Sequence, residues 1–307
     1  MLMIDRFAML DSGPDSIKDD DCLETAARES GCWGYDVRQL DAITRHPLFF
    51  MGYTALSRLG CIRHLNLNDR KLRNFLAAAE RSMPDCNFYH NKSHVTGVVQ
   101  CMYAQLRSCP LDDSLSACAC IIAAVIHDCK HPGMSADRVR QIAPELLPSG
   151  TTLEQYHLES ALDIMTQPPN DFLDGAEPGV RPKLYGLVSE LVLATDMAKH
   201  AELMKGIARS FLEDEGEKRL IWLLRLFMKV ADLHHCTGSP AAHVSWAKNL
   251  YSEAQGRFTD ELPSAFGTGQ LGFFDDVVLP MVDMMVAVRP ATEPVRQLVQ
   301  ANRDCWL

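Results

Sequence analysis

The sequence has no apolar stretch long enough to cross a bilayer. Its longest uninterrupted apolar run extends only from Ala117 to Ile126, whereas a transmembrane helix needs about 20 such residues. The residues after Met1 also lack the charged segment and following apolar segment that mark a secretory signal. We therefore expect a cytoplasmic protein without a transmembrane segment.

The chain also lacks a recognisable cysteine framework, although it contains 11 cysteines, and it lacks an excess of basic residues. No two cysteines form a Cys-x-x-Cys pair, and Cys118 and Cys120 lie inside the apolar run, where reduced cysteine behaves as a small hydrophobic residue. We interpret all 11 as thiols of an intracellular protein. The net charge of −10 argues against nucleic acid as a partner.

Signals for β-strands are scarce. No period-two apolar run is joined to another by an Asn-Gly or Asp-Gly turn. Apolar residues instead recur at spacings of three and four, as they do at Leu72, Phe75, Leu76 and Ala79. This spacing is that of one face of an α-helix, and it predicts an all-α fold.

Helical patterns extend over most of the chain and are separated by short breaks. Residues 187–204 form one apolar-rich run without glycine or proline, and Pro280 indicates a kink in another run at 277–288. The beginning of the chain is polar and acidic instead. We predict a loosely ordered lead-in over residues 1–32 and one large domain over residues 33–300.

Two histidines, His90 and His94, are four residues apart and would therefore share one face of a helix. Taken alone, such a pair more often consists of two ordinary surface or core histidines. The neighbouring Tyr89 and Asn91, in the sequence Tyr89-His90-Asn91-Lys92-Ser93-His94, make this pair more specific.

The His127-Asp128 pair is a stronger indication of a metal site. It directly follows the apolar run that ends at Ile126, so both polar groups are expected at the end of a buried helix. A buried charge needs compensation, which either a metal ion or a salt bridge at the helix end can provide. His131 adds a third imidazole nearby, just before Pro132-Gly133.

Asp232 also lies in an apolar run and therefore needs a partner, either a metal ion or Lys229. Glu154 and the Thr195-Asp196 pair are weak signals alone, because a solvated glutamate or a helix-capping aspartate would look the same. As a set, these histidines and carboxylates match the ligands of hard or borderline divalent ions, which ionise a water molecule near neutral pH.

Five ordered motifs resemble the catalytic domain of the class I 3′,5′-cyclic-nucleotide phosphodiesterases, which are HD-type metal-dependent phosphohydrolases. The motifs are Tyr89-His90-Asn91-x-x-His94, His127-Asp128-x-x-His131-Pro132-Gly133, Leu193-Ala194-Thr195-Asp196-Met197-x-Lys199-His200, Ala231-Asp232-Leu233 and Gln270-x-Gly272-Phe273. The resemblance extends from about Trp33 to Val288. It implies a compact, multi-helix phosphodiesterase domain with a deep two-metal pocket.

The resemblance further implies that two divalent ions are bound. The first, usually zinc, would be held by His94, His127, Asp128 and Asp232. The second, usually magnesium or manganese, would share Asp128 and otherwise bind water. Those water molecules would be oriented by His131, Glu154 and Thr195.

The implied reaction is hydrolysis of a 3′,5′-cyclic nucleotide, cAMP or cGMP or both, to the nucleoside 5′-monophosphate. A hydroxide bridging the two ions would attack phosphorus in line, and His90, as general acid, would protonate the departing 3′ oxygen. The implied substrate contacts are Tyr89, Met197, His235, Leu250, Gln270 and Phe273. The cyclic nucleotide is thus the expected partner, and the sequence leaves a homodimer open.

The chain departs from the family pattern at several places. Lys130 replaces an acidic residue and would bring an ammonium group near two cations. His234-His235-Cys236 stands where many members have Ser-Asn-Pro, so the preference for adenine or guanine is unreadable, and the segment from Asp232 to Gln270 is shorter than usual. Two alternatives therefore stay open, a catalytically weak protein that binds a cyclic nucleotide or a partner, and another metal-dependent phosphohydrolase.

Overall fold

The computed structural model describes residues 20–307, which form fifteen α-helices and no strand. They are α1 (Asp20–Glu29), α2 (Pro47–Arg58), α3 (Cys61–His64), α4 (Asp69–Arg81), α5 (Lys92–Ser108), α6 (Ser114–Ile126), α7 (Ala136–Ile142), α8 (Leu153–Thr166), α9 (Val180–Leu193), α10 (His200–Glu213), α11 (Gly216–Asp232), α12 (Pro240–Ala254), α13 (Phe266–Phe273), α14 (Leu279–Val288) and α15 (Glu293–Asp304). Within this part of the chain, none of the helices combines the length and apolarity that a membrane span requires. The all-α prediction is confirmed.

Helix α6 lies at the centre of the fold, where it packs against α2, α5, α9 and α11. Its residues from Ser116 to Ile126 are all buried, as expected of a helix that is apolar on every side. Asp113 caps its N-terminus, because the carboxylate accepts a hydrogen bond of 2.8 Å from the Ser116 backbone N–H. The run that is too short for a membrane therefore forms the central core helix.

Helices α5 and α11 pack against each other and against α6. The Asn91 side chain caps α5 by accepting hydrogen bonds from the backbone N–H groups of Ser93 and His94, at 2.9 and 3.3 Å. This cap fixes His94 in the first turn of α5, while α11 ends at Asp232. The start of α5 and the ends of α6 and α11 together form one polar end of the helix bundle.

The apolar run at residues 187–204 is interrupted between α9 and α10. The Thr195 hydroxyl donates to the Val192 carbonyl at 2.8 Å, and the Asp196 carboxylate accepts from the Ala198 N–H at 2.9 Å. Such local side-chain bonds compete with the helical hydrogen bonds. A 3₁₀ turn at Met197–Lys199 then leads into α10.

Part of the predicted lead-in forms helix α1. Its residues Leu23, Ala26 and Ala27 are buried in the hydrophobic core. The acidic run at its start hides this narrow apolar face, which occupies positions three and four residues apart. The remainder of that prediction, for residues 1–19, lies outside the described residues.

Regular α-helix is interrupted near Pro280, as its lack of a backbone N–H predicts. A π-helical turn, Phe274–Val278, separates α13 from α14. Phe274 is completely buried, and its ring centroid lies 5.1 Å from that of His243 in α12. The π turn thus joins this part of the chain to the segment that follows Asp232.

Helix α15 also contacts the segment that follows Asp232. The side-chain amide of Asn302 donates hydrogen bonds to the backbone carbonyls of Cys236 and Gly238, at 2.7 and 2.9 Å. Asn302 and Cys236 are completely buried, whereas Gly238 is half-buried, so the Cys236 carbonyl has no ready access to a replacement donor.

We predict that Asn302→Ala lowers the free energy of unfolding by about 1–3 kcal/mol, because the buried carbonyl of Cys236 and the half-buried carbonyl of Gly238 lose their donor. Urea denaturation, followed by circular dichroism, measures this change. Gln297→Ala, at an exposed position of the same helix, serves as the control and should change stability by less than about 0.5 kcal/mol. Equal unfolding midpoints for both variants would contradict the assignment.

Candidate metal centre and catalytic site

Four side chains converge where the start of α5 meets the ends of α6 and α11. His94 Nε2 lies 3.3 Å from Asp128 Oδ2 and 3.6 Å from Asp232 Oδ1. His127 Nε2 lies 3.3 Å from each of the same two oxygens. The four predicted ligands of the first metal ion are therefore neighbours in space.

The geometry of this cluster fits a divalent ion. Zinc bonds of about 2.0–2.1 Å at tetrahedral angles place neighbouring ligand atoms about 3.3 Å apart, close to the separations of 3.3–3.6 Å described above. Nε2 of His94, Nε2 of His127 and Oδ2 of Asp128 are buried and have no hydrogen-bond partner. Unpaired buried polar atoms are costly, and a shared cation would satisfy all three.

His127 is oriented toward this point by its other nitrogen. Its Nδ1 lies 2.9 Å from the Ala124 carbonyl oxygen, one turn back in α6. A carbonyl can only accept, so Nδ1 carries a proton, and Nε2 is the nitrogen at which a metal ion would replace a proton. This orientation, held by a partner outside the metal centre, is the one that a metal ligand needs.

The histidines and carboxylates of the cluster shift one another's pKa values. Burial alone would lower the pKa of His127, but Asp128 and Asp232 outweigh it and raise that pKa well above its ordinary value. Burial would likewise raise the pKa of Asp232, but His127 and His94 hold it well below its usual range. The carboxylates are ionised and attract positive charge to this point.

Asp128 also belongs to a second group of potential ligand atoms. One atom each from Asp128, His131 and His157 falls within 4.8 Å of the others. His157 Nδ1 lies 2.8 Å from the Cys129 carbonyl oxygen, so it carries the proton and leaves Nε2 unprotonated. Burial lowers the pKa of His157 to about 4, which makes it a neutral imidazole.

Sequence reasoning missed His157, although a signal for it exists. It lies on α8 three residues after Glu154, so the two share one helix face. Glu154 is half-buried at the start of α8, and Thr195 is buried in the break after α9.

Near Thr195, the ammonium of Lys229 lies 3.4 Å from the carbonyl oxygens of both Ala194 and Thr195. This contact replaces the salt bridge between Lys229 and Asp232 that was the alternative interpretation.

His90 is held by Glu253, a second residue that sequence reasoning missed. His90 Nδ1 makes a short contact with Glu253 Oε1, while Oε2 accepts from the backbone N–H groups of Tyr89 and His90 at 2.8 and 3.0 Å. Burial would lower the pKa of His90, but Glu253 and Asp128 raise it above its ordinary value. A lone glutamate in α12 gives no sequence signal for this pairing.

The His90 ring stacks on that of His131, with centroids 3.9 Å apart and planes 19° from parallel. Burial, together with the charge of His90, lowers the pKa of His131 to about 3. One imidazole of the stack therefore favours the charged form and the other the neutral form. Two titratable groups with separated pKa values are typical of acid–base catalysis.

A cavity of about 620 Å³ opens beside this stack. His90, His131 and Glu253 line it together with Leu250 and Arg138. Its volume lies in the range of ordinary small-molecule sites. Of the predicted substrate contacts, Leu250 is the one that lines this cavity; it is 39% exposed.

The other predicted substrate contacts do not line this cavity. Tyr89 is buried, with its ring centroid 4.5 Å from that of His94, and Met197 is 44% exposed beside the Lys229 ammonium. Gln270 and Phe273 are half-buried on α13 and do not line the cavity beside His90. The structure therefore does not bring Phe273 and Leu250 together at this cavity.

His235 is buried and already engaged. The Trp306 indole N–H donates to His243 Nε2 at 2.9 Å, and His243 Nδ1 lies 3.1 Å from His235 Nδ1. Because an indole N–H can only donate, His243 carries its proton on Nδ1 and donates it to His235. His235, Cys236 and His243 are close enough to share a metal ion, but this protonation excludes His243 Nδ1 as a ligand.

Lys130 is exposed, in contrast to the expectation of an ammonium group near the metal ions. Its backbone has a left-handed φ of 57°, in the turn that separates Asp128 from His131. The buried ammonium near the site belongs instead to Lys229, whose pKa is lowered by burial.

Comparisons with known proteins point to one family. Relatives include the 3′,5′-cyclic-AMP phosphodiesterase 4 of Dictyostelium discoideum, 32% identical over 58% of this chain and 18% of that protein. The high affinity cGMP-specific 3′,5′-cyclic phosphodiesterase 9A of Homo sapiens is 26% identical over 80% of this chain and 45% of that protein. The chain spans about half, or less, of the length of the curated relatives it matches.

A solved structure with the same fold is the phosphodiesterase domain of the RhoPDE fusion protein from the choanoflagellate Salpingoeca rosetta. It superposes with a TM-score of 0.80 at 20% sequence identity, over 92% of this chain and 96% of that one. The family model described as 3′5′-cyclic nucleotide phosphodiesterase matches residues 89–299. This match covers more than half of the sequence, and the chain therefore belongs to the 3′,5′-cyclic nucleotide phosphodiesterase family.

Proposed function

We propose that the chain hydrolyses a 3′,5′-cyclic nucleotide to the nucleoside 5′-monophosphate. The observation that carries this proposal is the position of a charged histidine, His90, beside a cluster that fits a divalent ion, at the edge of a cavity. The relatives include proteins named for cyclic AMP and for cyclic GMP, which supports the substrate class and makes both nucleotides test substrates.

In this proposal His94, His127, Asp128 and Asp232 hold one ion, zinc by the chemistry of the donor set. Asp128 also serves the second ion, magnesium or manganese, on the side where His157 lies. His131, Glu154 and Thr195 orient its water molecules. When bound, the two ions supply a water that ionises near neutral pH and positive charge beside the phosphoryl oxygens.

His90 acts as the general acid. Its Nδ1 is engaged by Glu253, so the proton available for transfer is on Nε2. The charged imidazole donates this proton to the 3′ oxygen as the bond to phosphorus breaks. Glu253 also accepts hydrogen bonds from the backbone N–H groups of Tyr89 and His90, which keeps the His90 ring in place. The neutral His131 stacks on this ring without competing for the proton.

The exposure of Lys130 weakens the principal alternative. A catalytically weak binding protein was suggested by an ammonium group near the two ions and by the short segment before Gln270. Lys130 is exposed to solvent, which argues against the first of these two grounds. The unpaired nitrogens of His94 and His127 further support a working metal site, which a protein that only binds a nucleotide would not need.

We predict that His90→Ala lowers turnover of cyclic AMP and cyclic GMP by about 10²–10⁴-fold, because the leaving oxygen loses its proton donor. Bound metal should stay unchanged in this variant. Asp232→Ala should instead lose both turnover and bound zinc, because a ligand is removed. The measurements are chromatography of nucleotide products, with magnesium or manganese and with chelator, and elemental analysis of the protein. Wild-type turnover in either folded variant would refute the assigned roles.

We predict that Glu253→Gln moves the alkaline limb of kcat to lower pH by about one unit. Glu253 raises the pKa of His90, so the protonated acid persists to higher pH and is lost as pH rises through that raised pKa. With ions bound, the charge of Asp128 is compensated, which leaves Glu253 as the main group that retains the proton. The variant should therefore lose more turnover at mildly alkaline than at mildly acidic pH.

The matched control for this pH profile is Glu261→Gln. It removes an equal charge from an exposed residue in the loop after α12, and the alkaline limb should stay where it is in the wild type. If the alkaline limb of kcat moves equally in both variants, the shift comes from the change in net charge, which would argue against the role of the His90–Glu253 pair.

We predict that Lys130→Asp changes kcat and zinc affinity by less than about twofold, because an exposed charge is well screened by solvent. Aspartate also tolerates the left-handed backbone at this position. Steady-state kinetics and zinc titration of the variant test this expectation. A large gain in zinc affinity would show that the ammonium acts on the metal centre after all.

A further inference from the structure

His94 has a second ring nitrogen that needs a partner. Its Nε2 faces Asp128 and Asp232, so a bound ion takes the Nε2 lone pair and the ring proton must be on Nδ1. Histidine ligands almost always donate this proton to a neighbouring acceptor, as His127 does to Ala124. Nδ1 of His94, however, is buried and has no hydrogen-bond partner.

An acceptor without a donor lies directly beside it. The ring centroids of His94 and His234 are 5.2 Å apart, with planes tilted by 40°. His234 is 8% exposed, and its Nε2 is buried without a hydrogen-bond partner. Two imidazoles joined by an N–H···N bond of about 3 Å have ring centres about 5 Å apart. The two rings are therefore already at the separation that a direct bond requires.

The helix that carries His94 is shaped to admit this ring. Gly97 follows His94 by three residues on α5, and a Cβ atom added there would lie 2.3–2.6 Å from three atoms of the His234 imidazole. Such a distance is far inside van der Waals contact, so any side chain at position 97 would displace His234. Glycine weakens a helix interior, but at position 97 it leaves the space that the His234 imidazole occupies.

We propose that His234 is a positioning residue of the metal centre, whose Nε2 accepts a hydrogen bond from His94 Nδ1–H. A rotation of the His234 ring about its Cβ–Cγ bond, a soft torsion in histidine, completes the bond. The bond fixes the tautomer and ring plane of His94, and it places the His234 proton on Nδ1. The inference rests on the metal centre of the proposed function and adds to it a residue that stands where the resembled family often has serine.

Two variants separate the hydrogen bond from the shape of the ring. His234→Gln keeps an acceptor within reach of His94, whereas His234→Phe keeps a ring of similar size and loses the acceptor. The probe is zinc alone, titrated into the full chain after removal of metal with a chelator, in competition with a chromophoric chelator. We expect a loss of affinity of about 10–100-fold for His234→Phe and a loss of less than about threefold for His234→Gln.

A spectroscopic signature accompanies this change. In the zinc-loaded protein labelled with ¹⁵N, the Nδ1 proton of His94 should be protected from exchange and shifted downfield, since it is buried and hydrogen-bonded. The signal should persist in His234→Gln and exchange faster in His234→Phe. A structural effect on folding alone would not discriminate between these two variants.

A double-mutant cycle with Gly97 provides a second test. Gly97→Ala should displace His234 and lower zinc affinity in the otherwise wild-type chain. In the His234→Ala background the same change should cost nothing further, because the ring that it displaces is absent. Losses that add, or wild-type zinc affinity in both His234→Phe and Gly97→Ala, would overturn the proposal.

The outcomes also separate this inference from the proposed function. If the zinc-loaded wild type fails to hydrolyse either cyclic nucleotide but the affinity differences persist, the reaction is wrong and the role of His234 stands. If hydrolysis is found and His234→Phe binds zinc as the wild type does, the role of His234 is wrong and the reaction stands.

Discussion

The compensation of buried negative charge at one end of the helix bundle is the constraint on which the rest of the structure depends. Asp128 and Asp232 are ionised next to the apolar helices that carry them, and His127 shares their field. An apolar core helix ending in a charged pair is tolerable only if other charges meet it there. The caps of α5 and α6, and the break after α9, are the local features that fix where those groups lie. In the metal-free protein a protonated histidine takes the place of an ion, so metal binding is expected to release protons.

The stacked histidines depend on the same field. Glu253 forms a hydrogen-bonded contact with His90, whose ring stacks on that of His131. This contact, together with the charge of Asp128, raises the pKa of His90, whereas burial and the charge of His90 lower the pKa of His131. The difference between an acid and a neutral neighbour thus depends in part on α12, which the sequence separates widely from both histidines.

The fold class could be predicted from sequence because it rests on a local pattern, whereas the set of four neighbouring ligands was implied by the resemblance of ordered motifs to a known family. Helical spacing reports burial directly, and His127-Asp128 follows an apolar run in which unpaired charge is costly. Glu253 could not be predicted, since a single glutamate in an amphipathic helix looks the same whether it is solvated or paired. His157 could have been predicted from its spacing to Glu154.

His235 was assigned to the substrate by its position in a motif. It instead contacts His243, which is in turn bonded to Trp306, and neither residue forms a recognisable sequence pattern with His235. The apolar face of α1 was hidden by its acidic start.

The hydrogen bonds from Asn302 and Trp306 have a consequence for the order in which the molecule is made. All four candidate metal ligands have been synthesised once residue 232 is added. The segment that follows Asp232, however, is held by side chains of residues 302 and 306, more than sixty positions further along. Helices α5, α6 and α11 can begin to pack as soon as they emerge, because they contact one another and also α2 and α9, which all precede residue 233. The loop beside the metal centre has to wait for the ribosome to reach α15, so a partly synthesised chain would have its core before it has a finished site.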